Sequence, residues 1–440
     1  MLFLRIKTDT MNWRCAKRPC KGSARTRKND EEYIQIITEH SHPPNCEEVE
    51  AHKVKDEIKR RAKTSQEQPR QIFNTATATV SFECASQLPK YRSITRTIQR
   101  SREGPLPAPQ SLKDIALPQE LSVTLRGEQF LAFDSGSDDP RRFFIFTTEQ
   151  NLDLLEGYQN WHADGTFKSC PTLFYQIFTL HAVVNDHTLP LVYFLLPGKS
   201  QNDYTTALKE LKIINPSLNP KQIIIDFEMA SKNALEEIFP AADIKGCFFH
   251  FAQTNWRKIQ KLGLQKRYTE EIQFRTLLKS FTAIALMPKE DACMAFDMLV
   301  QKCRQYEETL PYCEYFEETW LGVAGRLGRR SEPLFPLEMW NVFDAASTGS
   351  TKTNNAVEGW HRAFQLGMGF AHPTMYKYVK YLQVEQSATE NKYARVRIGD
   401  TFYQDKHYKQ LSEQLQKVLA KYQNNRILEE LESLSQLFKF

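Results

Sequence analysis

The ten residues "KQIIIDFEMA", 221–230, decide how the chain is read. Three consecutive isoleucines before an acid predict a short strand buried on both faces, ending at Asp226. A carboxylate in that position costs several kcal/mol to desolvate unless something pairs with it. The sequence around it supplies the rest of a sheet. Upstream, "WHADGTFKS", "LFYQIFTLHAVVN" and "TLPLVYFLLPG" read as three meandering strands, followed by the amphipathic helix "NDYTTALKELKII". Downstream, "EMASKNALEEIF" reads as a helix, "DIKGCFFHF" as a fifth strand, and "AQTNWRKIQKLGL" as another helix. Three meandering strands and then alternating helices and strands predict a mixed α/β sheet with helices packed on it.

Sheet-end acids form a pattern. Asp164 lies in the first of these strands and Asp226 ends the fourth. With those strands side by side, the two carboxylates project near one another, and like charges at that range push one of them toward protonation. A divalent cation removes the conflict, because Mg²⁺ or Mn²⁺ prefers carboxylate oxygens. Glu358, on the helix "TNNAVEGWHRAFQLGM" opened by Thr and Asn caps, is the best-placed third acid, with Asn354, Asn355, Trp360 and His361 around it. Glu228 is a rival, but it opens the helix after Asp226 and serves its dipole. Singly, each acid has an ordinary explanation: Asp164 in a turn, Asp226 as a helix cap, Glu358 on a surface. Two cations about 4 Å apart would clamp an in-line displacement at phosphorus without a side-chain nucleophile. Neither a G-x-S-x-G elbow nor a Walker-type phosphate loop is present, which leaves other hydrolase and NTPase readings without support.

Composition sets the bounds. The 440 residues, 41% hydrophobic, suit a globular protein of several domains. No apolar run reaches the ~20 residues of a membrane span, and the first residues lack the order of a secretory signal. Nine cysteines without framework spacing favour a reducing compartment, with thiols or metal ligands. Residues 1–110 carry 21 Lys and Arg against 13 Asp and Glu, whereas the remainder is close to balance. A basic front end suggests an anionic partner there. Within it "EAHKVKDEIKRRAKTS" reads as a charged helix, and "YRSITRTIQRSR" aligns Arg92, Arg96 and Arg100 on one helix face. That stripe suits phosphates; it equally describes an ordinary wet face. Breaks fall after "HSHPPNCEE", at the Pro-rich "SREGPLPAPQSLKD" and at "GRLGRRSEPLFPLEMW".

Taken together, "ADGTF", "IIIDFEMA", "GCFFH" and "TNNAVEGWH" resemble the Mutator-like (MULE) transposase domain, a DDE enzyme with an RNase H-like fold. The resemblance implies that Asp164, Asp226 and Glu358 are the metal-binding triad, holding two Mg²⁺ or Mn²⁺ ions. It implies that Cys247 and His250 are the family's Cys-x-x-His pair, which supports the site; packing of Cys247 is the equal alternative, since two ligands do not make a zinc site. A second resemblance lies at the front. "WRCAKRPC" followed by "HSHPP" looks like a FLYWCH zinc finger, with Trp13 before the first ligand. Cys15, Cys20, His40 and His42 would then hold one Zn²⁺, with Cys46 and His52 as incidental spares. The family's finger opens on an aromatic-rich strand, and Met1 is expected to fall inside it. Lys17, Arg18, Lys21, Arg25, Arg27 and Lys28 between the ligands suit phosphate contacts and nuclear import.

The expected organisation is therefore a small β-rich finger over 1–50, a basic helical DNA-binding linker over 51–115, and an RNase H-like core over 150–263. An all-helical insertion over 264–350, the helix of the third acid over 351–372 and a helical tail over 373–440 complete it. The expected function is metal-dependent cleavage of transposon ends and strand transfer to target DNA by a nuclear protein. Its expected partner is double-stranded DNA, on which it assembles as a homodimer or higher oligomer, and no membrane is involved. The competing reading is a domesticated, non-catalytic DNA-binding regulator; a metal-dependent nuclease without transposition would share the site.

Overall fold

The computed structural model describes residues 2–7, 10–27, 33–65, 67–101, 109–325, 329–369, 371–399 and 406–437. The chain divides into two compact units, Met1–Leu106 and Pro107–Phe440.

The first unit opens with four antiparallel strands in sequential order, β1 Leu2–Lys7, β2 Thr10–Arg14, β3 Ser23–Arg27 and β4 Tyr33–Thr38. Four helices follow, α1 Cys46–Thr64, α2 Pro69–Thr77, α3 Phe82–Gln87 and α4 Tyr91–Ser101. The Asn45 side chain starts α1 by accepting from the Glu48 amide at 2.9 Å. Val54, Ile58 and Ala62, four residues apart, bury one stripe of α1 against Ile72, Ile94 and Ile98. Burying Ile94 and Ile98 turns the other face of α4 outward, so Arg92, Arg96 and Arg100 are all exposed. Lys28 and the centre of the Pro-rich break, 102–108, lie outside the described residues.

The second unit is built on a mixed sheet of seven strands. Two short strands come first, β5 Leu131–Asp134 and β6 Phe144–Phe146, then helix α5 Glu149–Gly157. The meander is β7 Asn160–Thr166, β8 Gln176–Val184 and β9 His187–Leu196. Helix α6 Gln201–Ile214, strand β10 Gln222–Ile225, helix α7 Met229–Ile238 and strand β11 Asp243–Gly246 complete the α/β part. The order across the sheet is β11-β10-β7-β8-β9-β6-β5. β10 runs parallel to both β7 and β11, and the other pairs are antiparallel. β5 and β6 give no alternating run long enough to mark them in the sequence; pairing makes them strands, β6 with β9 and β5 with β6.

Alternation assigns the two faces. Trp161 and Ala163 of β7, Phe178 and Leu180 of β8, and Ile223 and Ile225 of β10 point into the larger core. Ile177, Tyr193 and Leu195 point into the smaller one. His162, Asp164 and Asp226 therefore share the face of the smaller core.

"DIKGCFFHF" is half strand and half helix. β11 ends at Gly246, and helix α8 Phe248–Lys261 begins one residue later. Phe248, Phe251 and Ala252 are buried at helical spacing, which a run of four apolar residues around one His conceals. After α8 come α9 Gln265–Glu270, α10 Ile272–Ala283, α11 Ala292–Cys303, α12 Leu310–Phe316, α13 Leu337–Trp340 and α14 Phe343–Thr348. This block anchors on an aromatic cluster. Phe251 stacks on Trp340 at 5.0 Å and meets Trp320 edge-on at 4.7 Å, and Trp340 Nε1 donates to Trp320 O at 2.9 Å. Phe227, next to Asp226, contacts Trp320 at 5.0 Å. Helices α15 Asn355–Met368 and α16 Met375–Arg397 return to the sheet and bury Phe364, Met368, Tyr378 and Leu382 in the smaller core. α17 Lys406–Leu419 and α18 Ile427–Ser435 end the described chain. Among the described residues, no helix is long and apolar enough to cross a membrane.

Gly246 lets Phe227 close over the end of β11, since a Cβ there would stand 2.3 Å from the Phe227 ring. Gly246→Ala is expected to lower the unfolding free energy by about 1–3 kcal/mol through overpacking. The check is the denaturant midpoint; an unchanged midpoint contradicts this packing.

Candidate functional site

The three acids arrive from three different elements. Asp164 sits within β7, Asp226 follows the last residue of β10, and Glu358 lies in the first turn of α15. β7 and β10 are parallel neighbours, with Trp161 opposite Ile223 and His162 opposite Ile224, so Asp164 and Asp226 fall at the same end of the same face. Glu358 reaches them because the chain before α15 is tied to the start of α8. The Phe248 amide donates to Lys352 O at 3.0 Å, and the Asn354 amide donates to Cys247 Sγ at 3.1 Å. Asn354 is the residue before α15, but its side chain makes no cap bond. Its Oδ1 accepts from His162 Nδ1 at 2.8 Å instead, which fixes the helix start to β7. The capping role expected for Asn354 is thus replaced by a buried cross-link.

His250, in the first turn of α8, stands between two of the acids. Its Nδ1 is 2.7 Å from Asp226 Oδ1 and its Nε2 is 2.9 Å from Glu358 Oε1. Neither approach has hydrogen-bond angles, which leaves Asp226 Oδ1, Glu358 Oε1 and His250 Nδ1 buried without a hydrogen-bond partner. Burial opposes a charge on His250, but Asp226, the Cys247 sulfur and Glu358 outweigh it and push the imidazole up to about 12. Burial, and then the charges of Asp164 and Glu358, raise the Asp226 carboxyl against the opposing pull of His250.

Asp164 is held separately. Its Oδ1 accepts from the Gly165 amide at 2.7 Å, and its Oδ2 lies 3.1 Å from His361 Nδ1. His361 Nε2 is 3.3 Å from Thr179 Oγ1, which is 2.9 Å from His181 Nε2. Burial keeps His181 and His162 neutral, well below their usual range for His181 and below it for His162. Gly165 admits no side chain, since its Cβ would stand 2.5 Å from Gln176 Oε1. Glu228 is turned elsewhere and accepts from Tyr204 OH at 2.8 Å. His361, Thr179, His181 and His162 were given no role by the sequence reading. Their signal is polar side chains on strands otherwise apolar, and a His three residues after the acid on one helix.

A divalent cation suits this donor set. Asp226 Oδ1 and Glu358 Oε1, buried without a hydrogen-bond partner, are oxygens of the kind Mg²⁺ or Mn²⁺ prefers, and the His250 ring lies between them. Asp226 and Glu358 could offer such oxygens to a metal, and Asp164 lies on the same sheet face; among the described residues only Cys15, Cys20, His40 and His42 gather their ligand atoms into one close group.

In the first unit, Cys15, Cys20, His40 and His42 place their ligand atoms within 4.8 Å of one another. Cys15 Sγ is 3.3 Å from His42 Nε2, Cys20 Sγ is 3.5 Å from His40 Nδ1, and the two ring nitrogens are 3.4 Å apart. Tetrahedral Zn²⁺ with ordinary bond lengths sets S···N and N···N edges of about 3.4–3.6 Å, so the spacing fits the metal. His42 Nδ1 donates to Pro43 O at 2.9 Å, freeing Nε2 as a ligand. The amides of Ser41 and Gly22 hold the Cys20 thiol down to about 6, and the Gly22 amide reaches the sulfur at 3.3 Å. Gly22 has no room for a Cβ, which would lie 2.8 Å from His40 Nδ1. Cys46 and His52 are exposed and outside this cluster. Lys17 and Arg18, in the turn between the two cysteines, are exposed.

The chain is expected to carry one Zn²⁺, measured by elemental mass spectrometry, and to lose it on Cys20→Ser and on Gly22→Val. Full zinc content in either variant contradicts the assignment.

No curated protein matches the chain. Residues 160–254, the segment from β7 into α8 that carries Asp164, Asp226, Cys247 and His250, match the family model of the MULE transposase domain.

Proposed function

We propose that the protein is a DNA transposase of the DDE type, in which Asp164, Asp226 and Glu358 hold two Mg²⁺ or Mn²⁺ ions on an RNase H-like core. The observation that carries this reading is the convergence of Glu358, more than a hundred residues beyond the matched segment, on the same His250 ring as Asp226. The strand order and directions from β7 to β11, a meander extended beyond β7 by two strands parallel to it, support the fold assignment. Bound there, the metal would lower the pKa of an attacking water or 3′ hydroxyl and stabilise the leaving oxygen. The chain's own part is positioning. Gly165 and His361 fix the orientation of Asp164; Asn354 and Cys247 hold the start of α15, and with it Glu358; His250 balances the charge of Asp226 and Glu358.

The first unit would serve as a FLYWCH-type zinc finger with a basic helical extension, placing the protein on double-stranded DNA through Lys17, Arg18, Arg92, Arg96 and Arg100. Assembly on paired transposon ends and a nuclear location follow from this reading. One observation favours the second reading, a non-catalytic DNA-binding regulator derived from a transposase: the His250 ring stands between Asp226 and Glu358, 2.7 and 2.9 Å from them, where a metal would otherwise bridge the two acids.

Mn²⁺-dependent cleavage of a supercoiled plasmid carrying the gene's genomic flanks separates the two. Transposase chemistry predicts cleavage by the native protein, lost in Asp226→Asn with plasmid binding retained. Binding without cleavage by the native protein would instead establish the regulator.

A further inference from the structure

A cavity of about 540 Å³ lies at the start of β7 and β10, on the sheet face that carries Asp164 and Asp226 nearer the strand ends. Asn160 and His162 alternate onto the face of Asp164, and Gln222 and Ile224 onto that of Asp226; these residues line the cavity. The facing wall comes from the helical block and the segment that leads into α15. Only two residues of strand, about 6.6 Å, separate His162 at the cavity from Asp164.

Four lysines line this space, Lys221, Lys245, Lys289 and Lys352, against the carboxylates of Asp243 and Asp344. Lys245 is committed, lying 3.1 Å from Asp243 and donating to Glu338 O at 2.7 Å. Lys221, Lys289 and Lys352 have no ion-pair partner among the described residues, and Lys289 and Lys352 are half-buried. Burial lowers the Lys352 ammonium from its usual value. With Asp243 held by Lys245, only Asp344 faces Lys221, Lys289 and Lys352, and an excess of cations around a partly desolvated space is unfavourable unless an anion enters it.

We propose that this cavity is a phosphate-binding subsite that holds the backbone of a nucleic acid strand running onto the three carboxylates. It rests on the reading of those carboxylates as a phosphoryl-transfer site. A strand with its reacting phosphate at Asp164 and Asp226 lays its next phosphates over Lys352 and Lys289, and Lys221 meets it at the outer end.

The test is lysine acetylation of the full-length protein, read residue by residue by mass spectrometry without divalent metal. The probes are a single-stranded oligonucleotide, its duplex and inorganic pyrophosphate. The expected result is loss of acetylation at Lys221, Lys289 and Lys352 with either form of DNA, identical in Asp226→Asn. The triple variant Lys221→Gln, Lys289→Gln, Lys352→Gln should reduce the slope of log affinity against log salt for the single strand by about 2, at ~0.7 per phosphate contact. Lysines that stay reactive under DNA, with an unchanged slope, overturn the proposal. So does protection by pyrophosphate but not by DNA, which would make the cavity a site for a small phosphorylated ligand. Protection by DNA in a protein that cleaves nothing leaves the subsite standing and removes only the catalytic reading.

Discussion

Two backbone contacts govern the architecture of the site. After about a hundred residues of helix, the chain returns to the sheet at Lys352–Asn354, where Phe248 N–H reaches Lys352 O and Asn354 N–H reaches Cys247 Sγ. The Asn354 side chain then binds His162 on β7. All of these groups are removed from bulk water except the Lys352 side chain, so breaking any one leaves a buried polar atom unpaired, at a cost of about 1–3 kcal/mol. The position of Glu358 follows from this seam, because it lies one turn beyond Asn354 on a helix that cannot start elsewhere. Cys247 therefore has a structural use that its sequence spacing to His250 did not specify: its sulfur accepts the amide that sets the helix.

The electrostatics follow from the same seam. It places Glu358 opposite Asp226 with the His250 ring between them, and a proton on that ring is stabilised from both sides. Asp164 belongs to a separate chain of contacts, through His361 to Thr179 and His181. Two of the acids therefore depend on α8 and the third on α15 and β8. Any divalent ion must compete with His250 for Asp226 and Glu358 but not for Asp164.

Much of this was legible in the sequence. A run of three isoleucines put Asp226 at the end of a strand, the apolar stretches upstream put Asp164 in another, and the order of strands and helices gave a mixed sheet. The arginine stripe of α4 was readable because Ile94 and Ile98 repeat at four-residue spacing between the arginines. The Cys and His residues of the first unit were readable through the resemblance of "WRCAKRPC" and "HSHPP" to a FLYWCH finger. Other parts depended on contacts distant in sequence. β5 and β6 are too short to carry a pattern and exist through pairing, β6 with β9 and β5 with β6. "CFFHF" satisfies strand and helix alike until Trp320 and Trp340 are known to pack on Phe251. Asn354 resembles a helix cap by position, and only His162, nearly two hundred residues earlier, diverts its side chain. The lysines around the cavity come from four separate segments, and no local stretch unites them.

The account stands on three distant carboxylates acting as one ligand set. Its most direct test is Mn²⁺ binding by the full-length protein, followed by electron paramagnetic resonance with the zinc cluster intact. The account predicts saturable Mn²⁺ binding in the native protein, lost or strongly weakened in each of Asp164→Asn, Asp226→Asn and Glu358→Gln. Native affinity in Glu358→Gln would contradict it, leaving the two strand acids as an ordinary buried pair and α15 without a part in the chemistry.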